Sequence, residues 1–360
     1  MGDFFEIDFL NVELKKSGDA IPIRYQIREK TRIHVSDGGF QDTGDALIEH
    51  INKYYNRPTR IDAVIVSHPD GDHAGGLRKL FEEFEIGELW MLRPWLYAKE
   101  LIDRFCRFTS VDNLIKRLKE LYPNLLALEE LADGCGVPIL EPFQGAKIGD
   151  FIVMAPTKLR YLDLVAESEK TPETIKEITA SFPRDFAMIA RTMSQFISAI
   201  WGKETFPEDD TSAENNMSVI QYANLCEKTI LLTADAGRAA LDEAADYAPY
   251  AGLRLPGIDW IQVPHHGSRH NVSSEILDRW LGKRLVTRPA DETHNFTAIV
   301  SAAKADNDHP RKSVIRAFCH RGGKVITTEE SGLRISHNAP PREGWGPAKT
   351  VPYPEEEEED

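Results

Sequence analysis

Between residues 67 and 76 the chain reads SHPDGDHAGG, which places His68, Asp70, Asp72 and His73 within six positions. Imidazole nitrogens and carboxylate oxygens are the usual protein ligands of divalent cations. Packed into one short loop with no cation to hold, four such groups repel one another or stay poorly solvated. On an extended segment His68 and Asp70, two apart, point the same way. Asp72 and His73 follow the turn that Gly71 eases, so they face a neighbouring point. The spacing suits two cation positions side by side. Other segments also end in ligand-type residues: RIHVSDGG at Asp37, TILLTADA at Asp235 and IQVPHHGS at His265 and His266. Two adjacent cations need a bridging carboxylate, and Asp235 is the candidate.

Such groups converge only if rigid elements carry them. IDAVIVS, just before His68, is a short continuous apolar run, the pattern of a buried central strand, and GGLRKLFEEF after the loop reads as a helix. Upstream, FEIDFLNV, AIPIRYQI and TRIHVSDGG alternate in part and are split by turn residues, as in a meander, before the helix DALIEHINKYY. Downstream come the strand IGELWML, two helices over 95–131 and the β-rich VPILEPFQGAKIGDFIVMAP. From 157 to 212 the texture changes to LVAESEKTPETIKEITASF and DFAMIARTMSQFISAIW, read as a helical insertion and not a separate domain. NMSVIQYANLCEKTILLTADA predicts a hairpin turning near NLCEK. Helices at GRAALDEAADYA, SSEILDRWL and SVIRAFCHRG then alternate with strands at IDWIQVPHHGS, RLVTRPA, KVITTEE and GLRIS. The expectation is an α/β fold over residues 1–338, followed by a Pro-rich acidic tail, 339–360, expected to be disordered.

Composition bounds the function. At 360 residues and 41% hydrophobic content the chain can fill a large core. No apolar run reaches the ~18 residues of a membrane span, and the N-terminus lacks a basic-then-apolar leader, so a cytoplasmic protein without a membrane partner is expected. The four cysteines are scattered without a CxxC pair, which argues against a disulfide framework or a cysteine zinc site. Net charge is -15, and six of those charges lie in residues 355–360, leaving -9 elsewhere. That balance disfavours loose nucleic-acid binding through Lys and Arg, though not a local basic groove.

SHPDGDHAGG resembles the HxHxDHxGG motif of the metallo-β-lactamase fold superfamily, and DGG, LLTADA and PHHGS follow in that superfamily's order. More narrowly the chain is similar to the hydrolase domain of the competence protein ComEC. The match rests on Asp70 in the second histidine position, ENNMSVI at 214–220, LLTADA at 231–236, VPHHGSRHNVSSEIL at 263–277 and NDHPRKSVIRAF at 307–318. Ala234 stands where that group usually has glycine. The residues here include no counterpart of the competence protein's membrane domain, so a role in DNA uptake is not carried over. The resemblance implies an αββα sandwich with a helical insertion and two divalent cations. It assigns His68 and Asp70 to one cation, Asp72 and His73 to the other and Asp235 to the bridge, with His265 favoured over His266 to complete the second position. The superfamily's middle histidine has no counterpart at 212–220. Asn216 is the candidate replacement, with Asn215 as the alternative. Asp37 and Ser268 are expected to orient the ligands, and Asp72, His266 and His309 to act at the reacting atoms.

An oxygen-rich first position shifts preference from Zn²⁺ towards harder ions such as Mn²⁺, and both are carried forward. A hydroxide held between two cations would attack phosphorus or a carbonyl carbon. The leading expectation is a phosphodiesterase acting on nucleic acid. Alternatives are a small ester, amide or lactone hydrolase, and an effector subunit active only within a multi-protein, antiphage-type complex docked through the insertion or tail. The fold alone does not choose among them.

Overall fold

The computed structural model describes every residue except 1, 14, 169, 171–195, 199, 291–292 and 359–360. The strands in chain order are β1 (Phe4–Phe9), β2 (Ala20–Ile27), β3 (Lys30–Gly38), β4 (Arg60–Ile65), β5 (Glu85–Trp90), β6 (Ile139–Leu140), β7 (Lys147–Ile148), β8 (Phe151–Ala155), β9 (Phe196–Ser198), β10 (Ile220–Leu225), β11 (Lys228–Leu232), β12 (Trp260–Gln262), β13 (Phe296–Val300), β14 (Gly323–Thr327), β15 (Leu333–His337) and β16 (Glu356–Glu358). Among the described residues two seven-stranded sheets form, in the orders β15-β1-β2-β3-β4-β5-β6 and β14-β13-β12-β11-β10-β8-β7. In each, antiparallel pairing gives way to parallel pairing towards one side, at β3 with β4 and at β11 with β12.

Side-chain alternation explains why the sheets stack. Phe5, Ile7 and Phe9 of β1 and Ile21, Ile23 and Tyr25 of β2 meet Phe151, Leu225, Ile230, Leu232, Ile299 and Ile326 of the second sheet in one core. The outer face of the first sheet is covered by helices that include Thr43–Tyr54 and Val111–Leu121. That of the second is covered by Arg238–Tyr247, Ser274–Leu281 and Lys312–His320. The result is a mixed α/β, αββα sandwich.

The β10–β11 hairpin turns at Cys226 and Glu227, both with positive φ, where a hairpin was expected. The strand placed at RLVTRPA is instead Phe296–Val300. Its five residues pair in parallel with both β12 and β14 and bury Phe296, Ala298, Ile299 and Val300. The stretch 285–290 carries a proline and ends largely exposed, which leaves it unfit for a central position. Of the insertion, the helix Lys158–Glu167 overlaps the expected one only at 164–167, Phe196–Ser198 is a strand where a helix was expected, and 171–195 lies outside the described residues.

The tail is not loose over its described part. Arg342 reaches Glu6 and Asp8, Trp345 donates to Tyr54, Val351 N–H donates to Val325 and β16 pairs with β9. Sequence composition weighs the prolines and the acidic run. The buried acids on β1 that hold Arg342 in place are too distant in sequence for composition to register.

Candidate metal centre

The ligand-bearing segments all leave the same end of the two sheets. His68, Asp70, Asp72 and His73 follow β4, Asp235 follows β11, and His265 and His266 follow β12. Close approach requires the glycines of the first loop. A Cβ on Gly76 would stand 2.1 Å from the Gly38 carbonyl oxygen. Asp37, Ala234, His265 and His266 all have φ between 45° and 59°, the left-handed region that costs non-glycine residues energy. Ala234 thus sits where glycine would be the unstrained choice.

Asp235 lies at the centre. Its Oδ1 is 3.3 Å from His73 Nε2 and 3.7 Å from His266 Nε2, and Asp72 Oδ2 is 3.8 and 3.7 Å from the same two nitrogens. Its Oδ2 is 3.8 Å from His68 Nε2 and 3.6 Å from His265 Nε2, with Asp70 Oδ2 3.8 Å from His68 Nε2. Donors about 2.0–2.2 Å from one tetrahedral ion are roughly 3.3–3.6 Å apart, so these separations fit two sets that share Asp235.

Each histidine is fixed by its other nitrogen. His73 Nδ1 lies 3.0 Å from Asp37 Oδ2 and His266 Nδ1 2.8 Å from the Ser301 carbonyl, and both oxygens can only accept. Ser67 Oγ donates to Asp37, leaving its lone pairs for His68 Nδ1 at 3.0 Å. Asn271 spends its amide N–H groups on the Asp235 and Ala236 carbonyls, so its Oδ1 accepts from His265 Nδ1 at 3.0 Å. All four protons are thereby placed on Nδ1, and the four Nε2 lone pairs face Asp235. The buried His68, His73 and His266 Nε2 atoms and Asp235 Oδ1 have no hydrogen-bond partner. Buried polar atoms are rarely left so. Asp72, His73, Asp235 and His266 offer atoms all within 4.8 Å of one another. The donor set therefore fits divalent cations.

The charges agree. Burial pushes the Asp235 carboxyl up, but His73, His265 and His266 outweigh it and hold it well below the usual range. Burial lowers His266, yet Asp235 and Asp72 lift it to about 9. His68 is pushed down by burial and by His73. Without a cation the cluster retains protons on imidazole that a cation would displace.

The placement differs from the expected set at three points. His266, read as a substrate-contacting group, completes the Asp72–His73 set, whereas His265 lies with His68 on the Asp235 Oδ2 side. Tandem left-handed φ angles turn the two rings to opposite sides of that carboxylate. Asn216 faces away: its Nδ2 donates to Asp210 and its Oδ1 accepts from Ala240 N–H, a role at the start of a helix. Asn215 is the nearer amide, 3.1 Å from His265 Nδ1. Ser268 Oγ accepts from His270 N–H in a turn. Asp37 sits behind His73 and Ser67, a supporting place. His309 stacks near His265, ring centroids 5.4 Å apart, with Nδ1 3.3 Å from Asp306 Oδ2. Lys170 pairs with Asp70 Oδ1. Asp19, Ser67, Gln262, Asn271 and Ser301 were not foreseen, because a supporting polar residue has no spacing signature of its own.

Paired sheets with a carboxylate–imidazole cluster at one shared end are the architecture of the metallo-β-lactamase fold. The family model of the metallo-beta-lactamase superfamily matches residues 35–119, from β3 through the histidine–aspartate loop and β5 into the helix Val111–Leu121. Among solved structures the chain is similar to Rm3 metallo-beta-lactamase, at 11% identity and a TM-score of 0.31, covering 75% of this chain and 79% of that one. No curated protein matches. No helix among the described residues is long and apolar enough to cross a membrane.

Proposed function

We propose that the chain is a hydrolase that uses two divalent cations to cleave phosphodiesters, nucleic acid among them. The observation that carries this reading is the ring of four Nδ1-anchored histidines whose free Nε2 atoms surround one buried carboxylate. Two cations held there would make water acidic enough to attack at neutral pH and would neutralise charge building on phosphate oxygens. His68, Asp70 and His265 would hold one, Asp72, His73 and His266 the other, with Asp235 shared. Counting the shared Asp235, each position has two carboxylates against two imidazoles, which keeps Mn²⁺ beside Zn²⁺ as the occupant of both. His309 commits Nδ1 to Asp306 and so keeps Nε2 for proton transfer to a leaving group at the rim.

The ComEC-like order of motifs supports the phosphodiester over a carbonyl substrate. Docking of a protein partner by the tail has no support among the described residues, where the tail engages its own body.

The test compares wild type with Asp72→Ala and His73→Ala on linear, circular and single-stranded DNA, RNA and a generic phosphodiester, with Mn²⁺ or Zn²⁺. Cation-dependent cleavage that falls by about 10²–10³-fold in each variant is expected. Cleavage of none of these substrates by a protein that also binds no cation would sink the reading. Cleavage by both variants unchanged from wild type would do so as well.

A further inference from the structure

We propose that Asp19 is a positioning residue that sets the geometry of the cation pair, an inference that rests on the two-cation reading above. Asp19 precedes β2 and is 1% exposed. It touches the loop that carries Asp72 and His73 and the strand that leads into the histidine pair, and through that strand it reaches the segment of Asp235. Its N–H donates to the Asp72 carbonyl at 3.1 Å, and its own carbonyl accepts from Gly39 N–H at 2.6 Å. Its Oδ2 lies 3.7 Å from His73 Nδ1 and accepts from Gln262 Nε2 at 2.8 Å.

Gln262, on β12 of the opposite sheet, passes the constraint on. Its Oε1 accepts from the Thr233 and Ala234 N–H groups at 2.9 and 3.0 Å, the two residues before Asp235. With that oxygen occupied, the amide can turn only its N–H groups to Asp19, so residue 19 must accept. The relay Asp19–Gln262–Thr233/Ala234 thus links the loop of Asp72 to the bridging carboxylate across the sandwich. Gly18 allows the approach: a Cβ there would stand 2.7 Å from the Asp72 carbonyl oxygen. Asp19 Oδ1 has no hydrogen-bond partner although it is buried. For stability alone an apolar residue would serve this depth as well or better.

The experiment measures Zn²⁺ binding to the metal-stripped full chain by competition with a chromophoric chelator. Asp19→Ala and Gln262→Leu are expected to weaken the second Zn²⁺ by about 10–100-fold, the usual cost of losing a group that orients ligands. Asp19→Asn keeps an acceptor for Gln262 and is expected to restore binding to within a few-fold of wild type. Gln221→Leu is the control. It removes another buried bond between the sheets, Gln221 Nε2 to Ser36 Oγ at 3.0 Å, and should bind Zn²⁺ as wild type does. Should Asp19→Ala not fold, Gln262→Leu decides. The proposal is overturned if both relay variants bind two Zn²⁺ normally, if Asp19→Asn is as impaired as Asp19→Ala, or if Gln221→Leu loses as much. Wild type that takes up fewer than two ions refutes the two-cation reading itself, an outcome separate from all of these.

Discussion

Asp235→Asn is expected to remove hydrolysis almost entirely, by about 10³-fold or more, and to leave the protein with fewer than two bound cations. The substitution keeps the side chain's size, so lost packing does not explain the effect. It changes the one group that faces all four histidines. A carboxylate offers an anionic oxygen to each side, Oδ1 towards His73 and His266 and Oδ2 towards His68 and His265. An amide offers one oxygen, uncharged, and turns N–H donors towards Nε2 atoms or a cation on the other side. Losing a single preorganised electrostatic contact commonly costs 10²–10³ in rate, and here the contact is shared by both positions. Metal content by elemental analysis and turnover on the best substrate are the measurements. Retention of both cations with activity within ten-fold of wild type would remove Asp235 from the bridge.

The second large effect is on stability, far from the site. Strand β1 alternates Phe5, Ile7 and Phe9 with Glu6 and Asp8, and the two acids are fully buried on the face away from the inter-sheet core. Arg24 and Arg334 pair with Glu6. Arg342, from the tail, closes the cluster. It grips both oxygens of Asp8 at 2.7 and 2.8 Å and Glu6 Oε2 at 2.7 Å, and it lies over the Tyr54 and Trp345 rings. Without Arg342, Glu6 keeps Arg24 and Arg334, but Asp8 is left with only His50 and the Tyr55 hydroxyl, so Arg342→Met should cost about 3 kcal/mol, the low end for breaking a buried pair from one side. The exposed Arg279–Asp246 pair should be worth about 0–1 kcal/mol. Urea unfolding of Arg342→Met and Arg279→Met gives the comparison.

The pH dependence carries a sign. Burial raises the Asp8 carboxyl, but His50 and Arg342 outweigh it and hold it below its ordinary 3.8. A depressed folded pKa contributes stability that is complete above the unfolded value and is lost as pH falls through the folded one. The gap between wild type and Arg342→Met should therefore be widest near neutrality and shrink below about pH 4. A loss under about 1 kcal/mol that is flat with pH would show that the cluster does not depend on the tail.

The parts of this molecule legible in the sequence were those written locally. The run His68–Gly76, with a strand before it and two glycines after it, announces ligands on a strand-to-helix turn. The partly alternating runs of β1, β2, β10 and β11 announce a meander and a hairpin, and the resemblance adds that they belong to two stacked sheets. What was misread depends on direction or distance. The choice between His265 and His266 turns on two left-handed φ angles, and nothing in the letters HHG fixes those. Asn216 had the right residue type and position, but its amide is drawn away by Asp210 and by the first turn of Arg238–Tyr247. Asp19 and Gln262 are 243 positions apart and meaningful only as a pair. The tail was misjudged for the same reason, since Arg342 is ordered by acids over three hundred residues upstream.

The division of ligands between the sheets has a thermodynamic consequence. The first sheet supplies His68, Asp70, Asp72 and His73, the second Asp235, His265 and His266. Each cation bound at Asp235 as proposed would be a rivet between the layers, because neither layer alone presents a complete donor set. Ions that bind only the closed sandwich stabilise it by mass action, about 4 kcal/mol per site when free ion exceeds its dissociation constant a thousand-fold. Cation supply would then govern how firmly the two halves hold together as well as how fast they work.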